Sequence, residues 1–170
     1  TFGSAPTADN FRTLFDILNE QIIYRRREVD FVFLGDSIFQ HWDLDLWFSP
    51  DKYKVNRGIG GDMSRYMLLR SEADVFQLHP HRAIVMAGTN DLLTTAPDLW
   101  WRKPGADEDK VISELLGNLE GDGLLALGEV GVDGGVAVIP AVFIDGLGRH
   151  LERVLVVALD GDDVRAEDHQ

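Results

Sequence analysis

Phe31-Val32-Phe33-Leu34-Gly35-Asp36-Ser37-Ile38 is an apolar run that passes straight into Gly-Asp-Ser. Apolar residues without polar alternation mark a strand buried on both faces, the pattern of parallel sheets. Open α/β sheets place their ligand chemistry in the crevice beyond the carboxyl ends of the strands. Ser37 stands at such an end and is the first candidate nucleophile. A turn or a helix cap is the competing reading of a small polar residue there.

The flanking sequence supports a sheet of this kind. Upstream, Phe11, Leu14, Phe15, Leu18 and Ile22 recur at helical spacing, with Thr7 or Asp9 able to cap and Arg25-Arg26-Arg27 at the end, where cations suit the helix dipole. Downstream, Tyr53-Lys54-Val55-Asn56 reads as a second strand leading into the loop Arg57-Gly58-Ile59-Gly60-Gly61-Asp62. Residues 63–78 have helical spacing, and residues 82–88 form a third strand that runs into Thr89-Asn90-Asp91. Val111, Ile112, Leu115, Leu116 and Leu119 predict another amphipathic helix. Val136-Ala137-Val138-Ile139 is a fourth strand stopped by Pro140, and residues 154–159 a fifth. Strands alternating with helices predict a parallel sheet with helices on both faces.

The 170 residues suit one domain, residues 1–170, with a core of its own. The absence of cysteine removes disulfides, thiolate metal sites and a cysteine nucleophile. A net charge of -13 argues against a nucleic-acid partner, which needs clustered Lys and Arg. That charge is uneven: residues 1–104 carry a net -2 and residues 105–170 a net -11, so the acidity belongs to the C-terminal third and reads as a solvated face. The same third holds 11 of the 17 glycines, which weakens its helical pattern. No apolar run reaches the roughly 18 residues of a membrane span. Residues 1–10 carry no signal pattern, which fits a cytoplasmic chain or a secreted one already relieved of its signal.

In a parallel sheet the residues just past each strand gather at one edge. Here that edge collects Gly35-Asp36-Ser37, Gly58-Ile59-Gly60-Gly61-Asp62 and Gly88-Thr89-Asn90-Asp91. Acyl transfer through serine needs a nucleophile, donors aimed at a developing oxyanion, and a base. Ser37 offers the hydroxyl, Gly61 a backbone N–H that a substrate can approach closely, and Asn90 a side-chain N–H. A phosphate-cradling loop is another reading of Gly58 to Asp62, but neither Gly-x-Gly-x-x-Gly opening a helix nor Lys-Ser/Thr is present.

With these three blocks in order over about residues 28–100, the chain resembles the SGNH, or GDSL, hydrolase family. The matching residues are Gly35-Asp36-Ser37, then Asn56 through Asp62, then Gly88-Thr89-Asn90-Asp91. The resemblance implies a flavodoxin-like three-layer α/β/α sandwich with about five parallel strands. It also implies hydrolysis of small carboxylic esters by a serine mechanism, with no metal or other cofactor. Ser37 would be the nucleophile, and the N–H of Ser37, the N–H of Gly61 and the side chain of Asn90 the oxyanion hole. The Gly-x-Ser-x-Gly elbow of α/β-hydrolases is a different motif, since Phe39 stands where its second glycine would be.

The family's last signature, Asp-x-x-His, supplies the base and its carboxylate, and this chain departs from it. The residues three before His41, His79, His81, His150 and His169 are Ile38, Phe76, Leu78, Leu147 and Ala166. One expectation is a chain truncated or degenerate just before that block. A second is a base at other spacing, His169 or alternatively His150; Asp168 beside His169 is poorly placed to orient it, because neighbours on an extended segment face opposite ways. A third is a binding domain that kept the fold without the reaction, and a nucleotide-binding domain remains the reading from the loop alone. Asp36, His41 and Trp42 flank the nucleophile and are the candidate substrate-binding residues, with core packing the alternative. His79-Pro80-His81 has the look of a metal pair but lacks a third ligand in sequence, and a solvated loop is the plainer reading.

Overall fold

The computed structural model describes residues 6–95, 107–119 and 136–140. Helix α1 (Pro6–Tyr24) is followed by strand β1 (Phe31–Gly35), two short helices, α2 (Ser37–Gln40) and α3 (Leu44–Trp47), and strand β2 (Lys54–Gly58). Then come α4 (Ser64–Asp74), a 3-10 turn (Phe76–Leu78), β3 (Arg82–Ala87), α5 (Thr89–Leu93), α6 (Glu108–Leu119) and β4 (Val136–Pro140). The strands form one parallel sheet in the order β2-β1-β3-β4. The expected fifth strand, residues 154–159, lies outside the described residues.

This order makes β1 the point where the chain reverses direction across the sheet. The step from β1 to β2 runs one way, and the steps from β2 to β3 to β4 run the other. Right-handed crossovers then put α2 and α3 on one face and α4 and α6 on the opposite face. The core divides accordingly. Val32 and Leu34 of β1 and Ala83, Val85 and Ala87 of β3 join Ile22, Met67, Leu115 and Leu119 from α1, α4 and α6. Phe31 and Phe33 with Ile84 and Met86 join Phe39, Leu44 and Phe48 on the other side. Successive strand residues face opposite ways, and both sides being covered accounts for the unbroken apolar run.

Several boundaries differ from the sequence reading: β3 ends one residue early, β4 includes Pro140, which was expected to stop it, and three further differences have a local reason. The second strand continues past Asn56 to Gly58, because Leu34 and Gly35 pair with Arg57 and Gly58, and the Ile59 N–H still donates to Gly35 O at 2.9 Å. The helix expected over 63–78 leaves helical geometry at Val75 (φ -124°, ψ -64°) and finishes as the 3-10 turn. Helix α1 starts at Pro6, ahead of both expected caps, a position that proline's fixed φ and missing N–H suit.

Candidate active site

The first loop is set by Asp36. Its buried side chain caps α2, accepting the Ile38 N–H at 2.9 Å. Ser37 therefore becomes the first residue of α2, and it is exposed. Among the described residues its hydroxyl has no hydrogen-bond partner. The first N–H groups of a helix lack intrahelical acceptors, so this position presents backbone donors beside the hydroxyl.

The second loop is held against the first. Asn56 Nδ2 donates to Phe39 O at 2.5 Å, while Asn56 Oδ1 accepts the Gly58 N–H at 2.8 Å. Gln40 Oε1 accepts the Gly60 N–H at 2.6 Å. Helix α2 approaches β2 so closely that a Cβ on Gly58 would overlap the backbone nitrogen of Gln40. A Cβ on Gly60 would stand 3.7 Å from Ser37 Cβ, which locates this loop beside the serine. Gly61 is exposed with φ +80°, and nothing lies within 4 Å of where its Cβ would be. A left-handed backbone facing open space is what a chain needs if another molecule is to come against it.

The third block, which the structure forms as the start of α5 behind Gly88, closes the arrangement. Asn90 Nδ2 donates to the Asp62 carbonyl at 2.9 Å and lies 3.4 Å from Asp36 Oδ2. One carboxamide thus joins all three loops at the carboxyl edge of β1, β2 and β3. Asp91, its neighbour, turns inward to the start of α4, where it accepts the Ser64 N–H at 2.9 Å and the Ser64 hydroxyl at 2.6 Å. Asn118 of α6 donates to the same hydroxyl at 2.9 Å.

Beneath these loops is a buried charge network that sequence reasoning missed. Arg70 of α4 holds Asp62 Oδ2 through Nε and Nη2, each at 2.8 Å. It also reaches Asp74 Oδ2 at 2.9 Å and Gly35 O at 3.1 Å. Asp74 pairs further with Arg12, and Asn19 Nδ2 donates to its other oxygen at 3.1 Å. Arg57 donates to Asn19 Oδ1 from Nε at 3.0 Å and Nη2 at 2.7 Å. Burial lowers Arg57 to about 10, with Asp74 opposing. Burial pushes the Asp62 carboxyl up, with the Arg70 guanidinium opposing. A signal was available: Met67, Arg70, Ser71 and Asp74 recur at the helical spacing of a core-facing stripe, so two of its members are charges placed among apolar neighbours.

The remaining candidates are distributed as follows. His41 is exposed at the C-terminal end of α2. Trp42 packs in the aromatic cluster, stacked on Phe39 at 5.5 Å and edge-on to Phe33 at 5.9 Å. His79 and His81 are exposed before β3, at the opposite end of the sheet from Ser37. His150 and His169 lie outside the described residues. Among the described residues no three His, Cys, Asp or Glu side chains group to hold a metal ion, and no helix is long and apolar enough to cross a membrane.

No protein-family model matches the sequence, and no curated protein does. The fold is similar to that of a solved protein from Streptococcus pneumonia provisionally described as a platelet activating factor. The two share 22% identity over 78% of this chain and 54% of that one, with a TM-score of 0.60. A provisionally described acylhydrolase from Bacteroides fragilis matches at 24% identity over 74% of this chain and 54% of that one, TM-score 0.47. A GDSL-like lipase from Bacteroides thetaiotaomicron matches at 23% identity over 74% and 58%, TM-score 0.43. The chain spans a little over half the length of each. At these identities the first likeness establishes a shared α/β fold.

Proposed function

We propose that the chain is an ester hydrolase of the SGNH, or GDSL, type, with Ser37 as nucleophile. The observation that carries this reading is the Asn90 carboxamide, which spans Asp36 and Asp62 beside an exposed serine at a helix start. In the reaction, Ser37 Oγ bonds to the ester carbonyl carbon as its proton passes to a base, and the carbonyl π electrons move onto oxygen. The N–H groups of Ser37 and Gly61 and one hydrogen of Asn90 Nδ2 receive that charge. Asn90 has two amide hydrogens. One is on Asp62 O at 2.9 Å, and the other, only weakly engaged by Asp36 at 3.4 Å, is the one left for the oxyanion. The bond to the alcohol then breaks, the alcohol leaves with the base's proton, and water repeats the sequence on the acyl-serine to release the acid.

The base in this reading is His169, with His150 the alternative. The substrates are small carboxylic esters, acetyl esters of sugars and short synthetic esters first among them, with no metal or cofactor and no nucleic-acid partner. A second reading, a binding domain of the same fold without the reaction, is favoured by one observation: no Asp or Glu stands three residues before any histidine. Hydrolysis of short nitrophenyl esters and acetylated sugars separates the two. The ester-hydrolase reading expects turnover that is lost in Ser37→Ala. Turnover unaffected by Ser37→Ala, or none in a folded sample, contradicts it.

A further inference from the structure

We propose that Arg70 is a positioning residue for the oxyanion donors, acting through Asp62; this rests on the ester-hydrolase reading of the same site. The guanidinium touches none of the atoms that would react. It holds the Asp62 carboxylate at 2.8 Å and the Gly35 carbonyl at 3.1 Å, the residues that bracket Gly61 on one side and Asp36-Ser37 on the other. The Asp62 carbonyl in turn holds Asn90 Nδ2 at 2.9 Å. One side chain therefore fixes the first loop directly, the second through a carboxylate, and the third through that residue's backbone. Its own place is set from below by Asp74, at 2.9 Å, which Arg12 and Asn19 also hold.

Only a guanidinium fits this task. Asp62, Asp74 and Gly35 O take hydrogen bonds from three different nitrogens of Arg70, and a lysine ammonium on the same stem is a single compact donor centre that cannot reproduce the planar fork. The arrangement is also buried, with Arg70 3% and Asp62 3% exposed, so water does not take over the acceptors that Arg70 releases. Loss of donor alignment of about 1 Å at a reacting centre lowers rates by about 100-fold.

The test is a double-mutant cycle on the rate of covalent capture of Ser37 by a fluorophosphonate, whose phosphoryl oxygen occupies the oxyanion position. Arg70→Lys and Asn90→Ala are measured singly and together, with far-UV circular dichroism to establish folding. Arg70→Lys is expected to slow capture about 10- to 100-fold, and the double variant to be slowed by clearly less than the product of the two single effects, because part of the Arg70 effect runs through Asn90. Multiplying effects overturn the proposal, because a merely structural role leaves the Asn90 contribution intact. If Arg70→Lys does not fold, Asp62→Asn replaces it in the cycle. If the folded wild-type chain is not captured at all, the ester-hydrolase reading fails by itself, and hydrogen exchange of the Asn90 side-chain amide decides the clamp. Faster exchange in Arg70→Lys or Asp62→Asn than in wild type supports it, and unchanged exchange overturns it.

Discussion

At the scale of single residues, the glycines of the second loop separate space from conformation. Gly61 has room for a side chain but holds φ +80°, so Gly61→Ala is expected to cost about 1–2 kcal/mol of stability from strain alone. Urea unfolding measures that cost. If Gly61 is also an oxyanion donor, ester turnover in Gly61→Ala falls by much more than its stability loss explains. Asn90→Ala is expected to reduce turnover about 10²- to 10³-fold, the typical effect of removing one such donor. A reduction below about threefold in folded protein removes Asn90 from the proposed site. These residues were legible as candidates because glycine and asparagine just past a strand carry local signals, although Asn90 lies in α5 and not in the expected loop. Arg70 was not, because its role depends on which carbonyl and which carboxylate the fold brings to it.

At the scale of elements, two contacts fix how the loops meet. Helix α2 lies on β2 at a distance only glycine permits at position 58, so Gly58→Ala must push the helix outward. Overpacking of this kind costs about 1–3 kcal/mol, and chemical denaturation of Gly58→Ala against wild type measures it. Asp91 satisfies the buried Ser64 N–H at the start of α4 and the Ser64 hydroxyl, and Asp91→Ala, which leaves that N–H unpaired, is expected to cost about 1–3 kcal/mol by the same measurement. The strands at 31–35, 82–87 and 136–140 were readable from apolar runs, although Pro140, read as the stop, is the last residue of β4 and Gly88, read as strand, lies just past β3. The far end of β2 was not, since Arg57 and Gly58 carry no strand signal of their own. They pair because β1 presents Leu34 and Gly35 opposite them. The shortening of α4 was equally invisible, as Val75 and Phe76 continue the apolar spacing while the backbone leaves the helix.

At the scale of the molecule, the sheet order places the reversal point at β1, and the three loops converge there. The two faces differ in character: one aromatic and apolar, the other threaded by Arg12, Arg57, Arg70, Asp62 and Asp74. A buried ion pair is costly to break from one side, so Arg70→Met, which leaves the buried Asp62 carboxylate without its guanidinium, is expected to lose about 3–5 kcal/mol. Burial holds the Asp62 carboxyl above its ordinary value in the folded state. The folded chain therefore takes up this proton at higher pH than the unfolded chain, and acidification from neutrality toward pH 4 favours folding at this position. The stability of wild type relative to Asp62→Asn should accordingly rise as pH falls through that window. Equal pH slopes for the two chains would rule out the raised carboxyl.

Everything proposed for this site depends on Ser37 being a nucleophile served by donors from the other two blocks. Mass spectrometry of the folded chain after exposure to a fluorophosphonate tests it most directly. One adduct is expected, located on Ser37 and abolished in Ser37→Ala; an adduct that persists in Ser37→Ala, or none on folded wild type, would show that Ser37 is not the nucleophile.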